Sequence, residues 1–278
     1  MTGNSLILIL GGNEFASAIA VGLVRSGLPV AMMVHPQEWA LRRAICFSDA
    51  VWLGQKTIQD VQAFFISENL LSQFQGIDHI KQWKHAIEFY LKSYSMPVFL
   101  ENDFPEFVET LKPQIIIKTH PEYLIDYPLD AASLIIGLHP WHIVHHHCHL
   151  SVESRSNALL GELFHEPPTS LPVFDPHFFK NPFEEITSPL EGVFVSLKNI
   201  GEKIMHHDAL GTIQEIQIRS PYDGQIWGLV HSGRYVKAKQ PLALIYQGFS
   251  DDAYQLFDYR HKAVAGTVLR EILYFLNK

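Results

Sequence analysis

Two rhythms of apolar residues alternate along the first half of the chain. Leu6–Leu10 is continuously apolar and runs into Gly11-Gly12; Phe15, Ala18, Ile19, Gly22 and Leu23 then recur at helical spacing until Ser26-Gly27, and Pro29–Val34 is continuously apolar again. A short unbroken apolar run reads as a strand covered on both faces, and a three-to-four-residue recurrence reads as a helix with one buried stripe. Strand, glycine turn, helix and strand in that order predict the opening βαβ unit of a doubly wound sheet. "MPVFL", "PQIIIK" and "SLIIGL" predict further buried strands. "DFPEFVETLK" predicts a short helix with Asp103 as N-cap, and Asp78–Ser95 a helix whose apolar face is Ile80, Trp83, Ile87, Tyr90 and Leu91.

From Pro167 to Pro182 the pattern is lost in a proline-rich stretch, expected to connect two domains. An internal repeat follows. "SPLEGVFVSLKNIGEKIMHHDALGTI" begins at Ser188 and "SPYDGQIWGLVHSGRYVKAKQPLALI" at Ser220, an ungapped offset of 32 residues. Pro189/Pro221, Gly192/Gly224, Leu197/Leu229, Gly201/Gly233, Leu210/Leu242 and Ile213/Ile245 are identical pairs. Ser-Pro-x-acid-Gly is turn chemistry, because proline fixes φ and glycine supplies a positive one. Each copy therefore predicts a turn, a short strand, a second glycine turn and a closing strand, the two copies facing each other as a small antiparallel sandwich. The expected organisation is an α/β domain over 1–166, a connection over 167–184, the duplicated all-β module over 185–248, and a C-terminal segment over 249–278 whose helix packs back on the first domain.

Composition narrows the function classes. The 278 residues are 47% hydrophobic and 18% charged, with a net charge of −8. This fits a globular chain and argues against general nucleic-acid binding. Two distant cysteines, Cys46 and Cys148, make no disulfide framework and suit a reducing cytoplasm. The apolar run at Leu6–Leu10 is too short for a membrane span and has no basic leader, so no membrane association is expected.

Several residues are candidates for chemistry. Gly11, Gly12 and Asn13 form a strand-to-helix turn, where free N–H groups favour an anion; the alternative is a turn kept for close packing. Arg42 and Arg43 could meet a phosphate or an anionic pterin tail, or form a solvated helix face. Cys46 could carry a persulfide or be a small buried hydrophobe. Glu153 and Arg155 are expected at the mouth of a helix, lining a cleft or pairing structurally. "HIVHHHCHL", His142 to Leu150, holds five histidines and a cysteine. Read as a strand, it would align His145, His147 and His149 on one face, a spacing that presents imidazoles to a transition metal, with His139 or His142 to complete the shell. The alternative is a half-exposed structural strand.

The repeat resembles the biotinyl/lipoyl carrier domain, a barrel-sandwich hybrid. Such carriers display a lysine on the hairpin between the halves. Here that hairpin is "QEIQIR", and no lysine occurs between Lys203 and Lys237, so neither biotin nor lipoate attachment is expected. A Rossmann-like N-terminal half joined to this module, together with "GGNEFASAIAVGLVRSGLPVAMMVHPQEWALRRAICFSDAVWLG" and "DYRHKAVAGTVLREIL", resembles the YqeB family over most of the chain. That resemblance implies an accessory or maturation protein of a molybdenum-hydroxylase system, binding a cofactor or client enzyme. The implied ligand is the molybdenum cofactor or a nucleotide, and the implied partner a molybdenum hydroxylase or a cofactor-synthesis protein, with homodimer formation left open. Two other classes stay in view: an NAD(P)-dependent oxidoreductase using the Gly11–Asn13 turn, and a scaffold docking a partner through the module. The chain departs from a dinucleotide motif in having Asn13 for a third glycine, no acidic residue directly after Val34-His35, and "HPWH" after the "IIGL" strand.

Overall fold

Each continuous apolar run becomes a strand with both faces covered. In a computed structural model describing residues 6–36, 38, 40–71, 79–101, 112–120, 128–156, 158–169 and 183–278, β1 (Ile7–Leu10) is wholly buried. It lies between β2 (Val30–Val34) and β6 (Ile115–Lys118), parallel to both. A strand inside a parallel sheet meets protein on both sides, so every position must be apolar. The remaining strands are β3 (Gln55–Ile58), β4 (Val61–Phe65), β5 (Met96–Leu100), β7 (Leu134–His139), β8 (Leu150–Glu153) and β9 (Leu163–Phe164). They complete a nine-stranded sheet ordered β3-β4-β5-β2-β1-β6-β7-β8-β9. Only the outer pairs, β3 with β4 and β8 with β9, are antiparallel. The chain winds outward from β1 through β2 to β5, then returns to β6 on the other side of β1, so the strand order reverses between β1 and β6.

α1 (Glu14–Arg25) starts where the sequence places it. Asn13 is its N-cap, with φ −69°, and its Oδ1 accepts the Ala16 N–H at 3.0 Å. The side chain thus serves the helix end, and the positive φ that asparagine tolerates falls two residues earlier, on Gly11 (φ +118°). A Cβ at Gly11 would stand 2.3 Å from Thr119 Oγ1, so only glycine fits. Two short helices, α2 (Asp49–Leu53) and α3 (Glu68–Leu71), precede α4 (His79–Lys92). α4 buries Trp83, Ala86 and Ile87. The ring of Trp83 stands edge-on to Phe99, 5.9 Å between centroids. The helix expected over "DFPEFVETLK", with its Asp103 cap, lies outside the described residues, as does most of the proline-rich connection.

α5 (Tyr259–Leu276) is held at its start by a reciprocal cap. Asp258 accepts the Arg260 and His261 N–H groups while His261 Nδ1 accepts the Asp258 N–H. Burial works against charge on Asp258, but the His261 and Arg260 groups beside it outweigh burial and hold the carboxyl below its usual range. His261 also packs on Phe15 of α1, 4.9 Å between ring centroids. The described residues fall into two compact units: Met1–Glu38, Cys46–Phe174 and Phe257–Lys278 form the first, and Trp39–Ile45 with Asp175–Leu256 the second.

The second unit carries two four-stranded antiparallel sheets. One is ordered β10 (Phe183–Thr187), β17 (Pro241–Tyr246), β15 (Gly224–Leu229), β12 (Lys203–Ile204); the other β14 (Ile216–Arg219), β13 (Ala209–Ile213), β11 (Gly192–Ser196), β16 (Arg234–Val236). The 32-residue offset of the sequence carries each strand of one sheet onto a strand of the other, pairing for pairing. Lys203 faces Gln225 in one sheet as Val193 faces Tyr235 in the other. The turns obey the same relation. Ser188 N–H donates to the Gln240 carbonyl and Ser220 N–H to that of Asp208, while the hydroxyls reach the carbonyls of Leu190 and Tyr222. The copies do not sit as one half facing the other, however: each sheet takes strands from both copies, and β10 and β14, the segments just before the copies, obey the same offset. Their shared core includes Phe194, Ile204, Leu210, Ile213, Ile226 and Ile245. Gln214 and Glu215, both with positive φ, close the central hairpin as a two-residue turn. Among the described residues no helix is long and apolar enough to cross a membrane.

Glycine substitutions test this packing. Gly224→Ala would drive a Cβ to 2.2 Å from the Tyr246 carbonyl oxygen, and is expected to lower stability by about 1–3 kcal/mol. At Gly192 the nearest atom is Cγ2 of the Ile213 side chain, 2.8 Å away, so Gly192→Ala should cost less. Gly22, inside α1, has nothing within 4 Å, and Gly22→Ala should stabilise by about 0.5–1 kcal/mol. Denaturant unfolding of the three variants that found no such order would contradict the packing.

Candidate functional site

Ligands of open α/β sheets gather beyond the carboxyl ends of the strands, where the strand order reverses. Here that place lies between the turn after β1 and the end of β6. The turn is already occupied by protein. Gly12 N–H donates to Glu38 Oε1 at 2.8 Å, and Glu38 is 7% exposed. A Cβ on Gly12 would stand 2.8 Å from the Ser48 backbone nitrogen. Asn13 Nδ2 donates to the Thr119 carbonyl at 3.3 Å, and Thr119 Oγ1 donates to that of Leu10 at 2.8 Å. A carboxylate near the start of a helix satisfies the electrostatics that would otherwise favour a phosphate. A pyrophosphate would have to displace Glu38, a like charge.

Three further groups stand along the same edge. Glu101 follows β5 and His35 follows β2, with Glu101 Oε2 at 3.4 Å from His35 Nε2. Burial raises the Glu101 pKa, with His35 opposing it. Its second oxygen, Oε1, is buried and has no hydrogen-bond partner among the described residues. Lys118 ends β6, is 4% exposed, and its Nζ donates to the His147 carbonyl at 2.7 Å.

Glu153 and Arg155 end β8, next to the end of β7. Glu153 Oε2 lies 2.7 Å from His139 Nδ1, and Oε1 accepts the N–H groups of Arg155 and Ser156, each at 2.7 Å. The Arg155 guanidinium lies 4.9 Å from the centre of the Trp141 ring. No helix follows Glu153: the chain turns and returns as β9, with the Gly161 N–H donating to the Glu153 carbonyl. The helical spacing expected there is cut by this hairpin.

The histidine-rich stretch is not a strand either. Val144 and Cys148, 1% and 0% exposed, form an isolated bridge, and the residues between them make a loop in which His145 has φ +65°. The strand begins only at Leu150. Local alternation suggested an extended segment, but the two buried residues four apart close a turn. His145, His147 and His149 therefore do not share a strand face. The rings have other duties. His147 Nδ1 accepts the Ile143 N–H at 3.0 Å, His149 Nδ1 accepts the Ile135 N–H at 2.9 Å, and His145 Nε2 meets Glu166 at 2.9 Å on the surface. A neutral ring accepting at Nδ1 carries its proton on Nε2, leaving neither nitrogen free for a metal. Among the described residues no group of three or more His, Cys, Asp or Glu side chains is placed to hold a metal ion. Burial, with Lys118, His147 and His120 as further contributors, lowers the His142 pKa to about 4, despite the backbone hydrogen bond to Leu138. Burial also lowers His149, with His145 adding to it, and raises the Cys148 thiol to about 11.

Arg42 and Arg43 belong to the second unit; Arg43 opens a single 3-10 turn, Arg43–Ile45, and Arg42 is buried, so the pair is not a solvated helix face. The guanidinium of Arg42 lies 5.7 Å from the Phe183 ring centre and 5.5 Å from that of Trp227. Arg43 donates to the Leu229 carbonyl, and its Nη1 lies 3.2 Å from His231 Nδ1. Cys46 is fully buried between Ile45 and Phe47, both also at 0% exposure. The residues the sequence reading missed are His35, Glu38, Glu101 and Lys118, while His139, expected to help complete a metal shell, is instead paired with Glu153. A signal was present for two of the missed residues: "MPVFL-E" and "IIIK" each end an apolar strand on an ionisable residue.

No family model matches the chain. The chain is 22% identical over 284 residues to "Uncharacterized protein YqeB" of Escherichia coli (strain K12), a match covering 100% of this chain and 49% of that protein. The chain thus spans about half the length of this curated relative. Among solved structures, a succinylglutamate desuccinylase / aspartoacylase family protein from Shewanella amazonensis overlaps 88% of this chain and 91% of its own at 10% identity, with TM-score 0.26. The product-bound ectoine utilization protein EutE (DoeB) from Ruegeria pomeroyi overlaps 88% of this chain and 85% of its own at 12% identity, with TM-score 0.24. Overlaps this shallow carry no argument.

Two measurements check the electrostatics. His142 is held neutral when folded, whereas the unfolded chain protonates it near its ordinary pKa of about 6.5. The unfolded state therefore binds more protons between about pH 4 and 6.5, and stability must fall as pH drops through that window. The expected contribution is about 2–4 kcal/mol, removed in His142→Gln; unfolding curves equally pH-dependent in both proteins would refute it. Zinc at the loop must break the bonds to Ile143 or Ile135. Untagged protein is expected to hold substoichiometric zinc, unchanged in His147→Ala, whereas loss of zinc in that variant would show that the loop rearranges around metal.

Proposed function

The chain belongs to the YqeB family, and on that premise we propose an accessory or maturation protein of a molybdenum-hydroxylase system. In this reading it binds the molybdenum cofactor or its client enzyme at the carboxyl edge of the large sheet and does not turn over a metabolite. The observation that carries the reading is Glu101 Oε1, at the end of β5 on that edge, a buried carboxylate oxygen with no hydrogen-bond partner among the described residues. An unmet buried acceptor costs about 1–3 kcal/mol, a cost that a ligand's N–H donors would offset.

The residues suit a pterin cofactor. Its amino and ring N–H groups are donors for Glu101, and its anionic tail, running along the edge, would be met by Lys118. When bound, the group supplies a dithiolene for molybdenum; the chain's residues bind, orient and shield it. We read the first unit as Rossmann-like, supported by the order reversal, and the second as a lysine-less biotinyl/lipoyl-like barrel-sandwich, supported by the interleaved repeat. The partners in this reading are a molybdenum hydroxylase or a cofactor-synthesis protein, in the cytoplasm. Glu38 on the Gly12 N–H weighs against the oxidoreductase alternative.

In a host producing a molybdenum hydroxylase, removal of the chain should lower the molybdenum content of the purified hydroxylase several-fold at unchanged polypeptide yield. A copy carrying Glu101→Leu should fail to restore it. Full molybdenum content without the chain would sink the reading, and micromolar NAD or NADP binding by calorimetry would move the chain to the oxidoreductase class.

A further inference from the structure

The ends of β7 and β8 form a built corner. His139 and Glu153 are register partners on adjacent parallel strands. Their side chains meet at 2.7 Å, with Glu153 1% and His139 12% exposed. Glu153 is fixed on its other side by two backbone N–H groups. Two residues beyond each partner, Trp141 and Arg155 stack on one another, and Phe164 of β9 stands edge-on to the His139 ring, 5.3 Å between centroids. The ring is thus held by a carboxylate at one nitrogen and an aromatic edge at its side.

We propose that His139 is the proton acceptor of a ligand site at this corner, taking an anionic ligand that bears an acidic O–H, with Arg155 supplying the positive charge. The inference rests on the reading of the carboxyl edge as the ligand-binding side. A carboxylate can only accept, so His139 Nδ1 must carry the proton and Nε2 the lone pair. A carboxylate that orients a histidine in this way is a recurrent element of proton-transfer sites. The step balances simply. The ligand O–H bond breaks, its proton bonds to Nε2, the ligand keeps the electron pair, and Glu153 faces the resulting imidazolium.

Glu153→Gln gives a sharp test. The N–H groups of Arg155 and Ser156 hold an acceptor at the Oε1 position, so the glutamine oxygen must stay there. Its NH2 group then faces His139 Nδ1 and forces the proton onto Nε2. Imidazole nitrogen spectra of the full chain with labelled histidine should show His139 as the Nδ1–H tautomer in the natural protein and as Nε2–H in Glu153→Gln. Inorganic phosphate, an oxyanion with an O–H, should shift the His139 Nε2 signal in the natural protein. It should not do so in Arg155→Met, whose His139 stays in the Nδ1–H form. The same tautomer in the natural protein and Glu153→Gln, or a phosphate response absent from the natural protein or retained in Arg155→Met, overturns the proposal. Normal hydroxylase molybdenum content without the chain, alongside the expected spectra, would remove the molybdenum assignment and leave this site standing.

Discussion

Burial of β1 on both faces sets the geometry of everything at its carboxyl end. Because Ile7–Leu10 are fully covered, the chain leaving the strand has Thr119 directly against it, and only glycine in a left-handed conformation passes at position 11. That single turn aims α1, places Asn13 both to cap the helix and to tie across to Thr119, and leaves the Gly12 N–H for Glu38. The polar row along the edge, from His35 and Glu101 to His139 and Glu153, follows from strands too apolar to carry a charge until their last residue.

The same economy of constraint shapes the second unit. Its two sheets are related by one 32-residue offset in sequence, yet neither is built from one copy alone. The symmetry is broken outside the core. β15 is buried at every position, while β11 alternates, exposing Val193 and Val195. The difference has a local cause: Leu41 lies against Gly228, and Arg42 lies over Trp227, the residue equivalent to Val195.

Strands, glycine turns and the duplication were legible in the sequence because each is dictated by neighbours in the chain or by a fixed period. The edge residues were legible only in part. Glu101, Lys118 and His139 terminate apolar runs, a visible sign, but Glu38 reaches back to Gly12 across 26 residues, and no local pattern announces that. The histidine stretch misled for a related reason. Its alternation suits a strand, but Val144 and Cys148 are drawn into the same core, and a long-range demand for burial overrides a short-range rhythm. Arg42 and Arg43 stand near the first helices in sequence, yet their partners Trp227, Leu229 and His231 lie about two hundred residues on.

The division of the chain between units has a consequence for its birth on the ribosome. The first unit needs α5, synthesised after every strand of the second unit, while the second recruits Trp39–Ile45, made long before its strands. Neither unit can therefore be finished in the order in which its residues emerge. Until Phe257–Lys278 leaves the exit tunnel, α1 lacks the helix that carries His261 against Phe15, and its apolar face must wait uncovered. Vectorial, domain-by-domain folding is the usual protection of larger chains against misassembly. This chain forgoes it, because residues from both sides of the second unit's strands must come together to complete the first unit.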